Sequence, residues 1–161
     1  MGEPEEIENP SIDELPNLFG LIKAIVVEDG KVPFGIPRKI GLEFNRVRGR
    51  VYYEGTTEEL KNYVRLGAVV DKIVKVLHYK ERKEGKELFG ESIEVFDKIK
   101  REGTEMGNKG KLGHNSGYGK FGLDWDQYGI DSSDNTSLTI GSFIAAYARV
   151  VFINTVENVN L

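Results

Sequence analysis

The chain has 161 residues, of which 39% are hydrophobic and 30% are charged, and its formal net charge is −4 at pH 7. This length suits one domain with extensions, and the negative charge argues against a protein that coats nucleic acid with a generally basic surface. There is no cysteine, which excludes disulfides and thiolate metal sites.

The first segment, residues 1–17, is acidic and contains three prolines but no basic residue. Because so little apolar surface cannot offset the entropy of ordering, it is predicted to be a flexible or partner-docked arm. Its acidic start also lacks the basic region of a signal peptide. The apolar stretch 138–156 is interrupted by Arg149 and Asn154, so we expect no membrane contact. Abundant Lys and Glu with a single Gln favour a thermophilic source.

Residues 18–103 are predicted to form a helical core that begins with a β-hairpin. The β-branched run 25–27 is followed by Asp29-Gly30, which suits a two-residue turn, and then by the apolar residues 32–34. Pro33 would confine the second strand to a sheet edge.

Residues 37–51 permit two interpretations. With a period of 3.6, the apolar positions from Ile40 to Val51 line one face of a helix. With a period of two, Arg46, Arg48 and Arg50 line one face of a strand. We favour the helix, although Gly41 and Gly49 would each cost it about 1 kcal/mol.

Residues 56–85 are predicted to form one long helix. Thr56 and Glu59 have the spacing of a capping box, apolar residues follow along one side as far as Leu77, and Gly85 suits a C-cap. A second helix is predicted to begin near Glu91 and end before residue 103. Because the connection is short, we expect an antiparallel helical pair.

The rest of the chain is predicted to be a Gly-rich loop over 104–136 and an apolar segment over 137–161. The apolar segment suits either a strand or a helix, and its Val-Val-Phe-Ile run slightly favours a strand. The predicted fold class is therefore mainly α with a minor β part (α+β): a small antiparallel helical core with hairpin and C-terminal strand extensions.

Cations and aromatic residues are interspersed in the long loop. Such surfaces stack bases and neutralise phosphates, and they also serve as protein–protein anchors, which the negative net charge favours here. With the arginines of the segment 46–50, the candidate interface residues are Arg46, Arg48, Arg50, Lys109, Lys111, Tyr118, Lys120, Phe121, Trp125 and Tyr128.

Motifs for catalysis, cofactors or metals are incomplete. The G-x-G-x-x-G match at 117–122 lacks the strand and helix of a dinucleotide site. Asp124 and Asp126 have the spacing of the first ligands in a calcium-binding loop, but the Glu that would end such a loop is missing. His114 lies near Ser116 without an evident orienting carboxylate. We predict no catalytic residue, no cofactor and no metal site, and the protein is not expected to be an enzyme.

The order of elements over residues 37–103 resembles the head–tail adaptor (connector or neck) proteins of tailed phages and related archaeal viruses. The similarity lies in "RVRGRVYYEG", "TTEELKNYVRLGAVVDKIVKVLHYKERKEG" and "ESIEVFDKIKREG", taken as consecutive helices. It implies a structural virion protein, assembled in the host cytoplasm, that forms a homo-oligomeric ring between portal and tail with at most passing contact with DNA.

In such a ring, Arg46 and Arg50 would pair with carboxylates of a neighbouring subunit, for example in its acidic arm. The first alternative is a nucleic-acid-binding or regulatory module that uses the arginines of 46–50 and the long loop. The second is a small enzyme in which His114 and Asp126 act from a Gly-rich active-site loop.

Overall fold

The computed structural model describes residues 3–40, 43–81, 84–101 and 136–159. The chain forms two compact units, one of Met1–Lys80 with Ser142–Leu161 and the other of Glu81–Gly141. A 3-10 helix spans Ile12–Asn17. The other regular elements of the described residues are β1 (Glu5–Glu8), β2 (Gly20–Glu28), β3 (Ile36–Ile40), β4 (Glu43–Val47), β5 (Gly49–Thr56), α1 (Thr57–Arg65), β6 (Val69–His78), α2 (Gly85–Arg101) and α3 (Thr136–Val159).

The first unit is built on a four-stranded antiparallel sheet with the order β1-β6-β2-β5, and β3 pairs with β4 in a separate two-stranded sheet. Both β5 and β6 run antiparallel to β2, which lies between them. Helix α1 therefore connects two parallel strands, a connection that requires a crossover.

The core lies between one face of this sheet and helices α1 and α3. Along β2, Ile22, Ala24 and Val26 are buried while Lys23 is exposed, as expected for a strand with one face on the core. The helices contribute Leu60 and Tyr63 from α1 and Ile153 from α3; their burial stabilises the unit through removal of apolar surface from water.

The predicted mainly α fold is wrong, because the structure is an α+β mix with a substantial sheet. The favoured helix over 37–51 is instead β3, β4 and the start of β5. In β5, Val51 and Tyr53 are buried while Tyr52 and Glu54 are exposed, which is strand alternation. The β-branched and aromatic residues that continue beyond residue 51 suit this strand.

The predicted long helix over 56–85 is also wrong beyond its first turns. Helix α1 ends at Arg65, and Gly67, with a φ of +107°, leads into β6. The buried residues of β6, namely Val70, Ile73 and Val76, recur every third position because the pairing with β2 shifts register twice. These bulges produced an apolar spacing that resembles a helix.

The predicted hairpin over 20–35 is correct only for its first strand, β2. The next strand starts at Ile36 and pairs with β4, and β2 pairs with β5 and β6. The Glu28 carboxylate accepts a hydrogen bond from Val32 N at 2.8 Å, which closes a local turn. Pro33, with no N–H, and Phe34, at a φ of +65°, do not continue a ladder.

The two ends of the chain also differ from their expected conformations. In the acidic segment, β1 pairs with β6 and the 3-10 helix follows. The C-terminal segment is helix α3, so the slight preference for a strand was wrong. Its alanines and long apolar side chains fit a helix. The two sides of this helix have different neighbours.

In the second unit, the helix expected from Glu91 is present as α2 and begins earlier, at Gly85. Lys98, Lys100 and Arg101 lie in its last turn, where positive charge is favoured by the helix dipole. The Gly-rich loop predicted over 104–136 lies outside the described residues, apart from Thr136 at the start of α3.

Candidate protein-docking surface

The predicted arginines lie on or between strands. Arg46 on β4 donates from Nη1 to the Gly35 carbonyl oxygen at 3.2 Å. Arg50 on β5 pairs with Asp71 at 2.5 Å between Nη2 and Oδ2. Arg48, between the strands, has no hydrogen bond or ion pair among the described residues. The predicted loop candidates, Lys109, Lys111, Tyr118, Lys120, Phe121, Trp125 and Tyr128, lie outside the part of the chain that the structure describes.

Carboxylates of the acidic segment are paired within the chain. Lys75 Nζ lies 2.5 Å from Glu6 Oε1, and Lys80 Nζ lies 2.9 Å from Glu5 Oε2. The hydrogen bond from Lys80 lowers the pKa of the Glu5 carboxyl. These contacts accompany the β1–β6 pairing, so the segment is bound to its own sheet.

A buried carboxylate, Glu59, lies at the centre of the first unit and is only 1% exposed. The Tyr63 hydroxyl donates to Oε1 at 2.7 Å, and the Tyr53 hydroxyl lies 3.2 Å from Oε2. Arg149 of α3 adds a bidentate contact, with Nε 2.6 Å from Oε1 and Nη2 2.8 Å from Oε2. The result is a charge-assisted network in which both carboxylate oxygens are bonded.

This network is suited to holding α3 in place. Burial raises the pKa of the Tyr53 and Tyr63 hydroxyls, and the negative charge of Glu59 raises both further, so the phenols stay protonated. The hydrogen bond to Glu59 raises the pKa of Arg149, which keeps the guanidinium charged. Because the acceptor is saturated and buried, it does not offer a reactive group to a substrate.

Sequence reasoning did not identify the network. Thr56 was correctly assigned as the N-cap of α1, since its Oγ1 accepts from Glu59 N at 3.3 Å. However, the Glu59 side chain was expected to complete a capping box, whereas it binds Arg149 instead. The available signal was Arg149 itself, a lone charge inside an apolar segment that requires a partner.

The docked side of α3 contains further contacts with the first unit. Ala146 and Ile153 are buried, at 2% and 0% exposure. Arg65 of α1 donates from Nη2 to Asn154 at 2.8 Å and to Glu157 at 2.9 Å. Since Arg149 and Glu157 are the only charged residues of the helix, both of its charges are neutralised by α1.

The other side of α3 presents large apolar side chains to solvent. Phe34, from the turn before β3, stacks on Phe152 with ring centroids 5.9 Å apart. Exposure is 70% for Tyr147, 56% for Phe152 and 53% for Phe34. Exposed apolar surface of this kind is a candidate interaction site. We call it the α3 stripe, and it consists of Phe34, Ile144, Tyr147, Val151 and Phe152.

Length and composition alone would let part of α3 cross a membrane. Among the described residues, Thr139–Val159 meets this criterion with a mean hydropathy of 1.4. Arg149 lies near the middle of that stretch and is bound to the buried Glu59. In this arrangement the helix packs on protein through one side.

The remaining polar groups of the described residues have structural partners or lie at the surface of the sheet. In the described residues there is no cluster of three His, Cys, Asp or Glu side chains that could hold a metal ion. His78 lies on β6 and its Nδ1 accepts from Phe19 N at 3.1 Å, which is a structural role. An open depression of about 310 Å³ on the sheet is rimmed by Lys23, Glu54 and Lys75, and Lys23 and Glu54 pair with each other at 2.9 Å.

No protein-family model, curated protein or solved structure matches the chain. The similarity to head–tail adaptors depends on consecutive helices over 37–101, and most of that range is strand up to residue 78. Function must therefore be inferred from the structure of the chain itself, in which the most distinctive feature is the α3 stripe.

Proposed function

We propose that this protein is a non-enzymatic structural subunit that associates with a second copy of itself through the α3 stripe. The observation that carries the proposal is the division of α3, which binds its own unit through both of its charged residues and the buried Ala146 and Ile153, and exposes large apolar residues on its other side. Tyr147 is 70% exposed while Arg149 is paired with a carboxylate that is 1% exposed.

A second copy is the occupant that the charge distribution favours. In a two-fold interface each residue of the patch meets the same patch on the partner, so like charges would repel. The α3 stripe contains no ionisable group other than the Tyr147 phenol, because Arg149 and Glu157 are engaged on the other side. It is therefore complementary to itself.

The exposed area of the stripe approaches what a dimer needs. Each aromatic side chain offers about 150–250 Å², and Phe34, Tyr147 and Phe152 are all more than half exposed. Together with Ile144 and Val151, the stripe therefore exposes on the order of several hundred Å², approaching the roughly 800 Å² per partner of a standard interface.

The ring-forming adaptor role remains a narrower prediction. A ring needs a heterologous contact between two different patches, whereas a stripe that pairs with itself closes at two copies. The mass of the protein in solution separates these outcomes: two chains for the two-fold pair, many for a ring.

Light scattering after gel filtration of the full chain tests the proposal. We expect the mass of two chains for the wild type and of one chain for Tyr147→Glu and Val151→Glu, because each introduces charge into the interface. The matched control is Val95→Glu on α2, since Val95 is also exposed, at 56%. Circular dichroism should show that all three variants stay folded.

Three results would overturn the proposal. One is a wild-type monomer at about 0.1 mM, where interfaces of standard size are normally occupied. Another is a dimer or ring whose mass is unchanged by the stripe variants or is reduced equally by Val95→Glu. The third is flotation with phosphatidylcholine vesicles that Tyr147→Glu abolishes, which would assign the stripe to lipid.

A further inference from the structure

A second surface lies at the end of the sheet where β2 finishes and where β5 and β6 begin. The register places Glu28 opposite Gly49 and Val27 opposite Val69, so the turns after β2, before β5 and before β6 are neighbours. Four cations lie in or beside these turns, namely Lys31, Arg46, Arg48 and Arg50. We call this surface the glycine end, because the side chains of two of its cations pass close to glycines.

Within the described part of the chain, two cations of the glycine end have no hydrogen bond or ion pair, and both of these lie across a glycine. A Cβ added at Gly30 would be 2.7 Å from Arg48 Nη1, and one added at Gly67 would be 2.6 Å from Lys31 Cδ. Both glycines have positive φ, +93° and +107°. The arginine and the lysine therefore pass over the turns through space that a side chain at either glycine would share.

Neither Arg48 nor Lys31 has a hydrogen bond or ion pair among the described residues, and both are exposed. Arg46 donates one hydrogen bond to the Gly35 carbonyl, and its other guanidinium N–H groups can still donate to a ligand. Arg50 pairs with Asp71, and that arginine is 67% exposed. Cationic donors are therefore available across the surface.

Acidic groups at the same end limit the strength of its field. Glu28 is fully buried with one oxygen hydrogen-bonded to Val32 N, Asp71 is paired with Arg50, and Asp29 is exposed. The exposed charge is positive in excess, although the chain as a whole has a net charge of −4. This local excess of positive charge suits a weakly held polyanion.

We propose that the glycine end binds the phosphate backbone of a nucleic acid without reading its sequence. Arg48 and Lys31 would contact phosphates, with Arg46 and Arg50 beside them. The acidic segment of this chain is not the occupant, because its carboxylates already pair with Lys75 and Lys80. Phosphate contacts by Arg and Lys position a protein on nucleic acid and do not specify bases. This proposal does not depend on self-association.

Fluorescence anisotropy with a labelled single-stranded oligonucleotide of mixed sequence tests it at low and moderate salt. With two to four phosphates neutralised, we expect the logarithm of the binding constant to fall with that of the salt concentration with a slope of about −2. Arg48→Gln and Lys31→Gln should each weaken binding several-fold, make the slope shallower by roughly 0.7 and act equally on different sequences.

The control is Lys100→Gln on α2, which removes the same charge from another exposed position. It should change the affinity much less than Arg48→Gln. All variants should also be measured in the Tyr147→Glu background, so that loss of association is not mistaken for loss of binding.

The proposal is overturned by an absence of binding at low salt, or by equal effects of Lys100→Gln and Arg48→Gln. Tighter binding of a labelled poly-glutamate than of the oligonucleotide, weakened by the same variants, would also overturn it in favour of an acidic protein partner.

Discussion

The two sides of helix α3 differ in an unusual way, because the docked side holds both of its charges beside the buried Ala146 and Ile153, while the outer side exposes large apolar residues. The docked side contains Arg149, held by Glu59, and Glu157, held by Arg65. The outer side contains Tyr147 and Val151, at 70% and 49% exposure. A surface helix usually turns its apolar side to the core and its charges to water.

The docked side therefore holds the helix on its own unit, and the outer side is available to contact another molecule. The docked side is satisfied within the chain, since its buried charge has both a partner and neighbouring hydroxyl donors. The outer side leaves apolar area in water, which is unfavourable unless another surface covers it. The predictions below alter the two sides separately.

The largest expected effect follows from removal of the buried carboxylate. Glu59→Ala would leave the Arg149 guanidinium and the Tyr63 hydroxyl without their acceptor, whereas the Tyr53 hydroxyl would keep the Thr56 carbonyl at 3.1 Å. The variant should lower the free energy of unfolding by about 3–5 kcal/mol. Denaturant unfolding measures it. The control is Glu58→Ala, because Glu58 is exposed and pairs with Lys61 at the surface; it should change stability by less than about 1 kcal/mol.

The network also predicts non-additivity. Once Glu59 is replaced, adding Arg149→Ala should cost little more, since the interaction is already lost. Equal losses for the Glu59 and Glu58 variants would show that α3 is not held by this carboxylate.

Part of the fold follows from local signals in the sequence. The β2 strand, the N-cap at Thr56 and the helix that includes Glu91 were all predicted, because each depends on residues that are neighbours in the chain. The capping hydroxyl and the β-branched run act over a few residues, so no distant partner is needed to predict them.

The wrong secondary-structure predictions all concern segments whose conformation depends on contacts with residues far away in the chain. Strand β6 was taken for helix because its buried residues Val70, Ile73 and Val76 follow two register shifts against β2, which only the pairing reveals. The segment 37–51 has apolar spacings compatible with both periods. The order of β5 and β6 around β2 decides such cases, since tertiary context overrides propensity.

The docking surface was less predictable than the fold. The sequence shows that 137–161 is apolar. Whether Tyr147 and Val151 face solvent depends on which carboxylate binds Arg149, because that contact fixes the rotation of the helix. Glu59 is far from Arg149 in the chain, and no spacing rule joins them. The arginines of 46–50 lie on or between strands, which was the interpretation not favoured, and their role in an interface stays a prediction.

A smaller effect is expected from apolar truncation on each side of α3. Ile153→Ala removes a fully buried side chain and should cost about 2–5 kcal/mol in unfolding free energy. Val151→Ala, on the half-exposed side, should change it by about 0.5 kcal/mol or less when measured in the monomeric Tyr147→Glu background. Denaturant titrations of both variants give the comparison, and similar losses at the two positions would mean that the outer side is also packed within one chain.

The smallest effect concerns alkaline pH and the buried tyrosine hydroxyls that surround Glu59 on the docked side. Burial, reinforced by the charge of Glu59, raises the pKa of the Tyr53 and Tyr63 hydroxyls in the folded protein. In the unfolded chain tyrosine ionises near pH 10, so above that pH the folded state retains protons that the unfolded state has lost. Stability from this source is fully present below about pH 10 and falls as the pH rises beyond it.

The variant Tyr63→Phe removes one of these groups. Its stability should therefore fall less than that of the wild type between about pH 9 and pH 11, even though the variant starts lower because it lacks a hydrogen bond to Glu59. Denaturation midpoints at the two pH values measure the difference, and the tyrosinate absorbance of the folded proteins should be the same in this range. If wild type and variant lost equal stability, Tyr63 would ionise without unfolding, and the docked side of α3 would be open to water at the point where we place its anchor.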